Sequence, residues 1–111
     1  AHGTGTPMND VIETKAIKKA LGEEQAKKAY VSSTKSMTGH MLGAAGAVEA
    51  LACLLALEEG IAPPTIHLDE QDEACDLNCV PNVAAQAALT LALSNSLGFG
   101  GHNACLAFRK V

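Results

Sequence analysis

Between Met41 and Leu57 the chain carries one charge, Glu49, in an otherwise apolar stretch built from Ala, Leu, Gly, Val, Met and Cys. A helix over about 40–59 that is apolar on nearly every side belongs inside a protein rather than on its surface. Gly43, Ala44, Ala45, Gly46 and Ala47 give it a small-residue surface for close approach to a neighbour. The stretch is slightly too short, and too interrupted by Gly43, Gly46 and Glu49, for a membrane span. A buried carboxylate is costly unless paired. Lys35, in the loop feeding this helix, is the nearest cation in sequence. Glu49 is therefore expected either to pair with Lys35 or to face a solvated gap or an adjoining subunit.

The remainder fits one α/β layer. At 111 residues the chain has room for a single domain with a modest core. Hydrophobic residues make up 48%, which argues against disorder, and the three aromatics, Tyr30, Phe99 and Phe108, leave Ala, Leu and Val to fill the interior. A net charge of −4, with no basic cluster interleaved with aromatics, excludes a nucleic-acid binder of the usual basic kind. Cys53, Cys75, Cys79 and Cys105 do not make a disulfide scaffold in so apolar a chain, which favours a reducing compartment.

Along the chain, AHGTGT forms a loop. Pro7 suits a first helical turn with Thr6 as N-cap. Val11, Ile12, Ala16, Ile17, Ala20 and Leu21 give an apolar helix face that Gly22 ends. Asp10 and Glu13 early, and Lys18 and Lys19 late, suit the helix dipole. EEQAKK reads as a short exposed helical turn with Glu23–Lys27 and Glu24–Lys28 pairs. Residues 29–33 read as a short strand, TKSMTG as a loop, and 61–85 as a loop-rich connection. Residues 88–94 and 104–109 read as strands, joined by a turn, NSLGFGGHN, too long for a tight hairpin. The order helix, strand, helix, strand, strand leaves an α/β layer unfinished at its N-terminal edge. The opening and closing residues read as the C-terminal piece of something longer.

Three loops rich in Gly, His and Thr, at 2–6, 34–40 and 95–103, are expected to converge at strand ends, where open α/β sheets bind ligands. His40, at the start of the long helix, is expected to be neutral, because a positive helix end disfavours imidazolium. It then either caps the helix or donates an N–H to a carbonyl oxygen. GFGGHN offers backbone N–H groups to an oxyanion, or is an ordinary turn. No nucleotide-binding glycine motif is complete. Cys75 and Cys79 with His67 lack the second ligand pair of a zinc site, so no metal is expected.

Taken together, AHGTGTP, SSTKSMTGHMLGAAGAVE, PPTIHLDEQDEACDLNCVPN and SNSLGFGGHNA closely resemble the β-ketoacyl-[acyl-carrier-protein] synthases, most nearly those of type II fatty acid synthesis. The resemblance covers essentially all 111 residues. It implies an α/β, thiolase-like fold, of which residues 1–111 are the last part of the second half, incomplete alone. It implies a reaction in which an acyl group passes to a cysteine thiol, malonyl-carrier protein loses CO₂, and the resulting enolate attacks the acyl thioester. His2 and His40 match the family's catalytic histidines, Lys35 its catalytic lysine, and Glu49 and Asp10 its supporting carboxylates. Thr4 and Thr6 match threonines that bind the pantetheine arm. Phe99 and Gly100 match the gate and oxyanion segment. Leu97 and His102 stand beside it where some members carry Phe and Thr. The nucleophilic cysteine matches none of the four here and is expected in an N-terminal part of the enzyme.

The implied partners are acyl carrier protein, that N-terminal part, and a second copy in a homodimer, with no membrane or nucleic acid. No cofactor is implied beyond the phosphopantetheine that carries the substrates. The implied compartment is the cytoplasm or an organelle of bacterial descent. Two other readings stand beside this one: a ketosynthase domain of a polyketide synthase, and a non-catalytic fragment acting only as a packing module.

Overall fold

A computed structural model describes residues 1–111. After an opening loop come α1 (Asn9–Leu21), α2 (Glu23–Lys28), a single helical turn α3 (Lys35–Thr38) and the long α4 (Ala45–Glu59). Then follow β1 (Ile61–Ala62), β2 (Ala85–Gln86), β3 (Leu91–Gly98) and β4 (His102–Arg109). The strands form two separate antiparallel pairs, β1 with β2 and β3 with β4.

Several elements differ from the sequence reading. Residues 29–33 make one parallel bridge, Tyr30 to Asn78, instead of a strand. The loop at 34–39 contains α3, begun by the Met37 and Thr38 amides donating to the Thr34 carbonyl. The long helix starts at Ala45, after a 3-10 turn over Leu42–Ala44. It ends at Gly60, whose left-handed conformation lets its amide reach the Ala56 carbonyl. Lys110 Nζ donates to the Leu57 carbonyl at 3.2 Å, placing a cation at the negative helix end.

The C-terminal strands pair over their whole length, from Leu91↔Arg109 to Gly98↔His102. The segment read as a long turn is therefore mostly ladder. Only Phe99, Gly100 and Gly101 reverse the chain, and both glycines sit at positive φ, +79° and +80°, which a Cβ would strain. Phe99 at this tip is fully exposed.

α4 packs on β3, where Cys53 Sγ approaches the Leu93 carbonyl at 3.8 Å. Its other side is open: Leu51, Leu54 and Leu55 are half exposed, against the expectation of burial all round. Cys105 is exposed on β4.

The buried apolar residues are few and mostly small: Ala26, Ala45, Leu57, Ala62, Leu77 and Val80. A second buried set is polar: His2, Glu13, Thr14, Ser33, Lys35, Glu49 and Ser94. This inverts the usual distribution, since charged groups are rarely buried unless paired. The loop over 61–82 is fastened to that polar centre. Thr65 Oγ1 accepts the Ser33 amide at 3.0 Å, and Ser36 Oγ accepts the Ile66 amide at 3.0 Å.

Candidate functional site

The polar centre is organised around the backbone of His2. Its N–H donates to Glu13 Oε1 at 2.8 Å, and its carbonyl accepts from Lys35 Nζ at 2.8 Å. Buried charges of opposite sign thus hold the two backbone polar groups of one residue and leave its ring unencumbered. Gly3 extends the arrangement. Its amide donates to Glu13 Oε2 at 2.9 Å, and its carbonyl accepts from Ser33 Oγ at 2.6 Å. Gly3 has φ +45°, and a Cβ there would lie 2.5 Å from Ser33 Cβ, so only glycine fits.

Lys35 starts α3 and reaches inward. It forms a buried ion pair with Glu49 on α4. This is the pairing that the isolated carboxylate in the apolar stretch demands. Glu49 Oε2 and His2 Nδ1 are buried atoms with no partner from the chain.

The rings of His2 and His40 meet edge to face, with centroids 5.6 Å apart and planes at 87°. His40 Nδ1 accepts the Leu42 amide at 3.0 Å. In that tautomer Nε2 carries the ring hydrogen and is free to donate. His40 therefore caps the 3-10 turn with one nitrogen and leaves the other without a partner from the chain. The helix-end argument does not apply to it as placed, because α4 begins five residues later. At His2, burial and then the Lys35 charge push the imidazole below its usual value, favouring the neutral ring. An oxygen accepting an N–H from each ring would lie roughly 4 Å from each centroid, from a hydrogen bond of about 2.8–3.0 Å plus the ring radius. Rings 5.6 Å apart satisfy that condition together.

Glu13 is the residue the sequence reading missed as part of the site. Burial alone would raise its carboxyl, but the Gly3 and His2 amides hold it below the usual carboxylate range. Asp10 has the more peripheral place. It accepts the Gly5 amide at 3.3 Å and the Asn9 side chain at 3.0 Å, and makes no hydrogen bond to Lys35 or Glu49. Thr4 and Thr6 share a hydroxyl–hydroxyl hydrogen bond of 2.9 Å on the exposed loop. Thr6 Oγ1 also accepts the Asn9 amide at 3.3 Å, in the manner of an N-cap.

A cavity of about 530 Å³ opens beside this centre, with Thr4, Asp10, Lys35, His40, Cys75 and Cys79 in its wall. Phe99 and Gly100 are not among its lining residues. Two of the three expected loops therefore converge directly, and the third reaches the centre through Asn95. No cysteine sits at the start of an α-helix, where a thiolate is stabilised, and burial pushes the Cys53 and Cys79 thiols up.

Comparison with known proteins gives a consistent picture. The family described as "Beta-ketoacyl synthase, C-terminal domain" matches residues 1–69. The chain is 54% identical over 111 residues to the 3-oxoacyl-[acyl-carrier-protein] synthase 2 of Vibrio harveyi, covering all of this chain and 27% of that protein. The Synechocystis protein of the same name is 56% identical over 110 residues, 99% of this chain and 26% of that one. The chain thus spans about a quarter of the length of these curated relatives.

Among solved structures, a type II PKS acyl-carrier protein in complex with its ketosynthase (AntDE:AntF) superimposes with a TM-score of 0.95 at 41% identity, over 99% of this chain and 27% of that one. A β-ketoacyl synthase from Burkholderia phymatum STM815 gives 0.91 at 38% identity, over 100% and 26%. The observed α/β arrangement is the C-terminal portion of the thiolase-like ketosynthase fold. No helix is long and apolar enough to cross a membrane.

Proposed function

This chain belongs to the β-ketoacyl synthase family through that family's C-terminal domain, and from that premise we propose that it supplies the histidine pair of a decarboxylating Claisen condensation in fatty acid synthesis. One observation carries the reading: the edge-to-face His2–His40 pair, in which Glu13 and Lys35 hold the His2 backbone and the Leu42 amide holds the His40 ring.

The steps are those the family resemblance implies, and the histidine geometry supports them. An acyl group first resides on a cysteine thiol supplied by another segment of the enzyme. Malonyl thioester then enters with its carbonyl oxygen beside the ring pair, within reach of an N–H from each. The bond to the carboxylate breaks, CO₂ leaves, and the electron pair moves onto the thioester oxygen. N–H groups of His2 and His40 receive that developing charge, a preorganised stabilisation worth about 3–4 kcal/mol per donor in comparable sites. The enolate carbon attacks the acyl carbonyl, and the cysteine thiolate departs. A neutral His2 can donate without surrendering a second proton, and the Lys35 charge helps keep it so.

Residues 1–111 serve as a segment of a longer enzyme acting in the cytoplasm or an organelle of bacterial descent. Thr4 and Thr6 take the pantetheine arm, Asp10 steadies their loop through Gly5, and Phe99 with Gly100 forms a gate. The steps call for no metal or cofactor besides the phosphopantetheine of acyl carrier protein. An N-terminal part and a second copy complete the assembly. Identities of 54% and 56% to 3-oxoacyl synthases, against 41% to the AntDE:AntF structure, favour fatty acid synthesis over polyketide synthesis.

The test is a chimera in which this chain replaces the matching portion of the Vibrio harveyi relative. His40→Ala should lower malonyl decarboxylation by about 10²–10³-fold while acyl transfer to the enzyme thiol continues. Undiminished decarboxylation would remove His40 from the reaction.

A further inference from the structure

We propose that Asn95 is a positioning residue for the decarboxylation step, holding Glu13 from strand β3 and, through Glu13, the His2 backbone. The inference rests on the reading of His2 given above. Asn95 Nδ2 donates to Glu13 Oε1 at 3.2 Å, and that same oxygen accepts the His2 amide at 2.8 Å. The other oxygen is held by the Gly3 amide at 2.9 Å and by Asn9 Nδ2 at 3.3 Å. Each carboxylate oxygen therefore takes one backbone donor from the His2 loop and one side-chain amide.

The two side-chain amides are not equivalent. Asn9 lies four residues from Glu13 on the same helix, so it moves with Glu13 and fixes it to nothing else. Asn95 lies 82 residues away, on the strand that leads into the Phe99 turn. It ties the Glu13 carboxylate, and the His2 amide on it, to the sheet. Asparagine suits this place chemically. It offers a donor without a charge, whereas a carboxylate there would set like charges side by side and an aliphatic side chain would leave a buried lone pair unmet.

The experiment uses the chimera described above and follows two half-reactions, acyl transfer to the enzyme thiol and decarboxylation of a malonyl thioester. Asn95→Ala should lower decarboxylation about tenfold and leave acyl transfer within about twofold, as expected for loss of one hydrogen bond to a charged group. Asn95→Asp, the closer copy in shape, should do worse, by about a hundredfold, because it turns a donor toward Glu13 into a second carboxylate. Asn95→Gln, which keeps the donor, should exceed Asn95→Asp.

The reverse order, with Asn95→Asp the mildest of the three, would show that Asn95 only fills space. Equal loss of both half-reactions in all three variants would do the same. Failure of the unsubstituted chimera to decarboxylate, with acyl transfer intact, would instead overturn the role given to His2, and this inference with it.

Discussion

Lys35 is the residue on which the site's charges balance. Its ammonium meets the Glu49 carboxylate and the His2 carbonyl in a place where water reaches neither partner freely. Removing it strands a buried carboxylate, the costly case for an ion pair. Lys35→Met in the complete enzyme should destabilise it by about 3–5 kcal/mol, and adding Glu49→Leu should recover most of that loss. Denaturant midpoints of both variants measure this, and a Lys35→Met variant as stable as its parent would sink it. The pair was legible because Glu49 interrupts a long apolar run. Glu13 was not, because an acid in a first helical turn suits the dipole and asks for no further explanation. A signal was nonetheless present. Glu13 lies on the same helix face as Ala16, Ile17 and Ala20, and a charge on an apolar stripe requires a partner.

At the scale of elements, the opening loop and the 31–33 segment approach so closely that their contact admits no side chain at Gly3. Gly3→Ala combines a strained positive φ with a steric overlap and should cost about 2–4 kcal/mol. The same substitution should lower decarboxylation, because the His2 loop must lift to relieve the overlap. Thermal unfolding together with the decarboxylation assay checks both effects, and an unchanged melting temperature would refute the crowding argument. The strand pair over 91–109 shows why boundaries were harder to read than chemistry. Asn95, Ser96 and Asn103 look like turn residues, yet all three lie in the ladder: Asn95 reaches Glu13 from one face of β3, while Ser96, on the opposite face, lies against α4. The apolar character of α4 foretold its end at Glu59, but not its start at Ala45 nor its surroundings. Within these residues only β3 and its neighbours cover it, and the leucines on its far side stay open.

The whole molecule carries little apolar core and much apolar surface. Leu51, Leu54, Leu55, Leu91, Leu93 and Leu106 are all exposed. Such faces are sticky in water unless covered. The 111-residue chain alone should therefore bind a hydrophobic dye and self-associate. Sedimentation velocity with dye fluorescence tests this, and a dye-silent monomer would count against it. The polar centre also has a temporal consequence. Glu13 takes its last hydrogen bond from a residue 82 positions further along, whereas the neighbouring hairpin closes through contacts a few residues apart. Non-local contacts of that span form late, since loop closure must come first. In chain order the loop bearing His2 precedes β3, so its bonds to Glu13, Ser33 and Lys35 can form before the Asn95 amide is present. The centre is thus begun at the front of this stretch and closed from its back: synthesis halted before Asn95 leaves Glu13 one donor short, with both histidines already made.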